Sequence, residues 1–239
     1  MAGARLSRHE LKSQDEITTS LRSITGVLQE KQKEILVGVV ALLVIVAAVV
    51  GWRAYSANRN AAAALQLASA ISAFEDPNIK PEKTRYEKAA AEAQKTIDSY
   101  GSTSAATIAR YYLAMSQARL GDSATAEKNL QEVADRGDAS IKGVAQFALG
   151  HLQAKRGGTA KAIETLTQLY NSGAYPKSAV AFDLAALHEA NGEPDKAKEF
   201  YGKVITDSPE SRFRQDSESA LKRMGAPVPA PPVPVPAKP

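Results

Sequence analysis

Ile35 to Trp52 reads ILVGVVALLVIVAAVVGW, eighteen consecutive residues without a charge. At about 1.5 Å of rise per residue, a helix over this run is about 27 Å long, close to the thickness of a bilayer's hydrocarbon core. Its one polar side-chain atom is the indole N–H of Trp52, at the end where an interfacial ring belongs. A core helix of a soluble domain keeps a polar face, and this run has none. A cleaved signal peptide has a short basic leader and an apolar stretch of about 7–15 residues. Here 34 residues precede the run, and the best small-residue site downstream, Tyr55-Ser56-Ala57, puts a bulky ring three places before the cut. The run therefore reads as an uncleaved transmembrane anchor, Ile35 to Trp52, behind a tail over residues 1–34.

Orientation rests on basic residues. Arg22, Lys31 and Lys33 lie close before the span, with Arg5, Arg8 and Lys12 further out; Arg53 and Arg59 lie after it. The excess favours a cytoplasmic N-terminus. The remainder is then outside the cytoplasm, which in a Gram-negative cell is the periplasm.

Composition narrows the fold of that remainder. The chain has 43 alanines, 14 aromatic residues and no cysteine. Alanine is the strongest helix former and brings little volume, so the composition suits closely packed helices better than a β-sandwich. Without cysteine there is no disulfide framework, cysteine zinc site or thiol chemistry. The net charge of +4 comes from interspersed charges, and no basic patch with interleaved aromatics points to nucleic acid.

A repeat organises these helices. Leu120-Gly121-Asp122, Arg156-Gly157-Gly158 and Asn191-Gly192-Glu193 are turns spaced 36 and 35 residues apart, each glycine followed five residues later by Ala126, Ala162 or Ala197. That period belongs to helical-hairpin solenoids. In units beginning at Thr107, Gly143 and Ser178, the pairs Leu113-Ala114, Leu149-Gly150 and Leu184-Ala185 sit at one place of the first helix, and Pro209 closes the third unit. These residues resemble the tetratricopeptide repeat (TPR), a unit of two antiparallel helices, although the bulky fourth residue is replaced by Arg110, Gln146 and Ala181. The alternative is an irregular helical bundle. The fold class expected is all-α: one N-terminal transmembrane helix followed by a TPR-like helical-hairpin solenoid.

The domain boundaries follow. Residues 53–106 are expected to hold a linker helix and a degenerate first hairpin, with helices over Ala61–Phe74 and Lys83–Tyr100 broken at Asp76-Pro77-Asn78 and Pro81. Three repeats cover 107–211, and a capping helix covers 212–225. Residues 226–239 hold seven prolines and should form an extended, disordered polyproline-type tail.

No catalytic constellation is present. His9, His151 and His188 are dispersed, and the last two have no near acidic neighbour in sequence except Glu189. Arg156-Gly157-Gly158-Thr159 lacks the Gly-Lys-Ser/Thr of a phosphate loop. The sequence implies no enzyme, metal or cofactor.

The resemblance implies a groove instead. In TPR folds the fifth, ninth, twelfth and thirteenth residues of the first helix tend to line the concave side. The fifth place holds Tyr111, Phe147 and Phe182; the ninth holds Met115, His151 and Ala186. Glu189 takes the twelfth place of the third unit, and Arg119, Lys155 and Ala190 take the thirteenth. An aromatic row beside a partly basic edge suits a peptide or an unfolded segment. The alternative is that the rings only pack between helices.

A short tail, a single anchor ending in Gly51-Trp52-Arg53 and a TPR-like domain together resemble the ancillary SecYEG translocon subunit family. That resemblance implies an inner-membrane protein with a periplasmic TPR-like domain. Its partners would be SecYEG and the periplasmic chaperones that receive emerging chains. The N-terminal tail is longer than the family's, and the proline-rich C-terminus is a further departure. A second reading is a cell-envelope scaffold or division-coordination protein.

Overall fold

The computed structural model describes residues 32–230, so the tail expected over residues 1–34 lies almost wholly outside the described residues. Among those described, all regular structure is helical. The chain divides between Asn58 and Arg59 into two compact units.

The first helix, α1, runs over Gln32–Glu75. The sequence suggested an anchor and a separate helix from Ala61; the two are one helix. Residues 53–60, RAYSANRN, contain neither glycine nor proline, so nothing in them ends it. From Leu36 to Asn58 its apolar side chains face outward: Val37 is 68 % exposed, Val44 62 % and Trp52 71 %. An eighteen-residue window of this apolar stretch has no buried residue, and the helix is long and apolar enough to cross a membrane.

The second unit begins with the last turns of α1. Here Ala63, Leu67, Ala70 and Ala73 are buried, the spacing of one helical face. Asp76 donates the last helical N–H, to Ser72, and Pro77 follows. Eight helices come next: α2 (Glu82–Tyr100), α3 (Ser104–Arg119), α4 (Ser123–Arg136), α5 (Ala139–Lys155), α6 (Thr159–Ser172), α7 (Lys177–Ala190), α8 (Pro194–Asp207) and α9 (Arg214–Arg223). Each packs on the next, giving stacked TPR-like hairpins.

The small residues have their expected use. Ala126, Ala162 and Ala197 are all fully buried. Leu67 and Ala70 of α1 meet Ala93 of α2 and Ala109 and Leu113 of α3 in one cluster, joined by Ala90 and Ile97. A Cβ placed on Gly150 would lie 2.6 Å from Cδ2 of Leu166. The Leu149-Gly150 pair therefore lets α5 and α6 approach closely, while Leu149 packs in a cluster with Leu130 and Val133, and Leu166 and Leu169 in another with Val180 and Leu184 of α7. A buried leucine contributes about 1.5–3 kcal/mol, and an alanine far less. Small positions set the helix spacing and large ones supply the burial.

The turns work as their spacing implied. Gly121, Gly157 and Gly192 all have positive φ (93°, 82° and 73°), a conformation glycine adopts without steric cost. The Asp122 carboxylate then caps α4 by accepting from the Thr125 N–H, and Asp138 caps α5 through the Ser140 and Ile141 N–H groups. Hydrogen bonds from the Thr125 and Ser140 side chains, and then these backbone bonds, hold the two carboxyls below the usual carboxylate range.

Candidate functional site

Tyr111 on α3, Phe147 and His151 on α5 and Phe182 on α7 recur at matched repeat positions, and the structure gives them two different settings.

The first is organised by the loop between α6 and α7. Gly173 has a φ of 66° and ends α6, donating its N–H to the Leu169 carbonyl. The Ala174 carbonyl then lies so close to α5 that a Cβ on Gly143 would be 2.0 Å from its oxygen. That approach seats Tyr175 on Phe147, with ring centroids 4.3 Å apart and planes at 19°. His151 meets the same Phe147 ring edge-on at 4.6 Å. Tyr111 is near enough to feel the Tyr175 phenol: burial chiefly, then Tyr112 and Tyr175, push its pKa up. Met115 is half-buried, and Arg119 and Lys155 are exposed at the ends of α3 and α5. The Arg119 guanidinium lies 5.9 Å from the Tyr86 ring. Tyr112 faces Tyr111 edge-on and touches Phe74, which touches Tyr86. The aromatic row thus runs on toward the start of the solenoid.

His151 has an acidic partner that its neighbours in sequence did not suggest. Its Nε2 lies 2.8 Å from Oδ2 of Asp183, one hairpin further on. This hydrogen bond raises the His151 pKa above its ordinary 6.5, against a smaller lowering by burial. A raised folded pKa means that the pair stabilises the fold fully below about pH 6.5, and that this is lost as pH rises through the raised value. An NMR titration of the His151 ring checks this. Asp183→Asn should bring the pKa back toward 6.5 and remove the pH-dependent part of the stability, about 0–1 kcal/mol for so exposed a pair. An unchanged titration in that variant would exclude Asp183 as the cause.

The second setting lies further along the stack. Phe182 stacks on Phe213 (5.0 Å, 21°) and meets Tyr201 edge-on (5.8 Å), so its ring packs between α7, α8 and the residue that begins α9. Glu189 accepts from the Tyr201 hydroxyl at 3.1 Å and from Arg223 Nη2 at 2.8 and 3.0 Å. Arg223 holds its carboxyl below the usual range, while burial and then Glu189 push the Tyr201 phenol up to about 12. His188 is buried, stacks parallel to Phe200 at 5.5 Å, and pairs with Glu193 at 2.6 Å. Its acidic partner is therefore Glu193, across the Gly192 turn, and not Glu189.

The structure thus brings Tyr111, Phe147 and His151 together with Tyr175 and Asp183, and places Phe182 and Glu189 in a separate packed group. Tyr175 was missed because it lies in a loop, outside the helical register; Gly173 and Pro176 around it were the available signal. Among the described residues no group of three His, Asp or Glu side chains could hold a metal ion.

The TPR-like helical-hairpin solenoid is consistent with a protein-interaction scaffold. The model of the tetratricopeptide repeat-like domain family matches residues 28–223, and the chain belongs to that family. Tetratricopeptide repeat-like domains are non-catalytic scaffolds. No curated protein matches the chain.

Proposed function

We propose that the protein is a membrane-tethered TPR adaptor. Ile35 to Trp52 crosses the inner membrane with the N-terminus cytoplasmic, and the repeats stand in the periplasm. Tyr111, Met115, Phe147, His151 and Tyr175 seat an extended protein segment, with Arg119 and Lys155 as a basic edge. Phe182 and Glu189 shape the far end of that face from within the packing. The partner is the Sec translocon, and the task is to pass emerging chains to periplasmic chaperones. One observation carries this reading: α1 joins an apolar stretch with no buried side chain to a TPR-like scaffold. The tether keeps the face at the membrane and raises its effective concentration toward other membrane components.

Photo-crosslinking from position 175 in intact membranes tests it. Expected adducts are a translocon subunit and a periplasmic chaperone; division or wall-synthesis proteins would instead support an envelope scaffold. Phe147→Ala should lower adduct yield roughly tenfold, as loss of an aromatic anchor does, with a smaller proportional loss of thermal stability. Equal losses would make Phe147 a packing residue only. A repeat domain protected from protease in spheroplasts would exclude the periplasmic role.

A further inference from the structure

An extended, disordered tail is expected over residues 226–239; residues 231–239 lie outside the described residues, and Ala226 and Val228 pack on the domain. Gly225, with a φ of 65°, donates its N–H to the Lys222 carbonyl, and Ala226 donates to Leu221 at 2.9 Å. This paired closure reverses the chain at the end of α9. Residues 226–230 then run without regular secondary structure, with Ala226 and Val228 packed on the cluster that holds Tyr201, Ile205 and Leu221. Pro227 and Ala230 stay exposed. The Cγ of Pro229 lies 3.9 Å from where a Cβ on Gly202 would be, and no other atom comes as near that point.

Two features make this a built site. In a hairpin solenoid the surface of α8 and α9 would be covered by the second helix of a further hairpin, and here a segment without regular secondary structure lies on it. Gly202 stands inside α8, where glycine costs about 1 kcal/mol against alanine; a Cβ there would meet the Pro229 ring at ordinary contact distance, so a longer side chain, though not alanine, would take the ring's place. Proline suits such a seat. It has no N–H to leave unpaired on burial, and its fixed φ lowers the entropy lost on docking. The seated step is Pro227-Val228-Pro229, and the sequence repeats it at Pro232-Val233-Pro234 and Pro234-Val235-Pro236.

We infer that the groove between α8 and α9 is a binding site for polyproline-type Pro-Val-Pro segments, and that its resident ligand is this chain's own residues 227–229, bound in cis. The site is separate from the aromatic face of the repeats and does not depend on its role.

The test uses the full chain in detergent micelles, with valine methyl groups labelled for NMR. The Val228 methyl signals should stand apart from random-coil positions, and Gly202→Leu, which fills the place of the Pro229 ring, should move them to those positions. A chain ending at Gly225 should take up a synthetic peptide of residues 226–239. Uptake should be about tenfold weaker in the full chain, where the tethered segment competes at high effective concentration, and equally weakened by Gly202→Leu in the shortened chain. Circular dichroism checks that each variant is folded; if the shortened chain unfolds, Val228 in the full-length variant still decides. Random-coil Val228 signals in the unaltered protein, or no response to Gly202→Leu, would overturn the site. Val228 signals that become coil-like on dilution would put the occupant on a second copy and overturn binding in cis.

Discussion

Gly143→Val should destabilise the repeat domain by about 3 kcal/mol or more. Helix propensity alone points the other way, since glycine inside a helix costs about 1 kcal/mol against alanine, and Gly143 lies inside α5. The steric term decides the sign. A Cβ there would sit 2.0 Å from the Ala174 carbonyl oxygen and 2.7 Å from its carbon. Both are backbone atoms, so no rotamer change relieves the clash, and the loop itself must move off α5. The displaced loop also lifts Tyr175 from Phe147, and an aromatic pair of that kind is worth about 0.5–1.5 kcal/mol beyond its burial. Thermal unfolding should show a Tm lower by roughly 6–12 °C, at about 2–4 °C per kcal/mol for a domain of this size. Gly202→Ala is the matched control. Its Cβ would meet only the Pro229 ring at ordinary contact distance, so the propensity gain of about 0.5–1 kcal/mol should survive. If both variants shift Tm the same way, close loop approach is not what requires glycine at 143.

The contrast between these glycines marks what was legible in the sequence. Gly121, Gly157 and Gly192 stand in local turns at a fixed interval, and local geometry leaves a local signature; the positive φ at each agrees with it. The buried alanines five residues on and the Leu149-Gly150 pair carry the same short-range information. Gly143 marked the start of a repeat unit, yet its use depends on a loop thirty residues later. His151–Asp183 and Phe147–Tyr175 likewise join residues that only the stacking of hairpins brings together. Phe182 had the same periodic signal as Phe147, but its surroundings differ because α9 begins against it. Periodicity identified the helix face, and the next element along the stack determined which ring packs on it. Seating of the proline segment escaped notice for a related reason. Composition reports the conformation a segment prefers, and says nothing of a groove shaped by Gly202.

Two arginines in the apolar stretch should detach the protein from membranes where one does not. The stretch Ile35 to Trp52 holds 12 Leu, Ile and Val residues. At about −0.3 to −0.6 kcal/mol each for insertion, they favour the bilayer by roughly 4–7 kcal/mol. One arginine near the middle costs about 2.5–3.5 kcal/mol, so Val44→Arg should weaken insertion and leave most of the protein embedded. Adding Val40→Arg brings the cost to about 5–7 kcal/mol and also removes two valine contributions, which tips the balance. Carbonate extraction should leave the unaltered protein and most of the single variant in the membrane pellet, and move the double variant into the supernatant. The repeat domain should keep its helical signal throughout, because both valines lie in the unit that ends at Asn58. Retention of the double variant at the unaltered level would mean that α1 is not the anchor, and membrane tethering would then need another source. Release by the single substitution would mean that the stretch inserts far less favourably than its composition requires, as for a helix that only lies on the membrane surface.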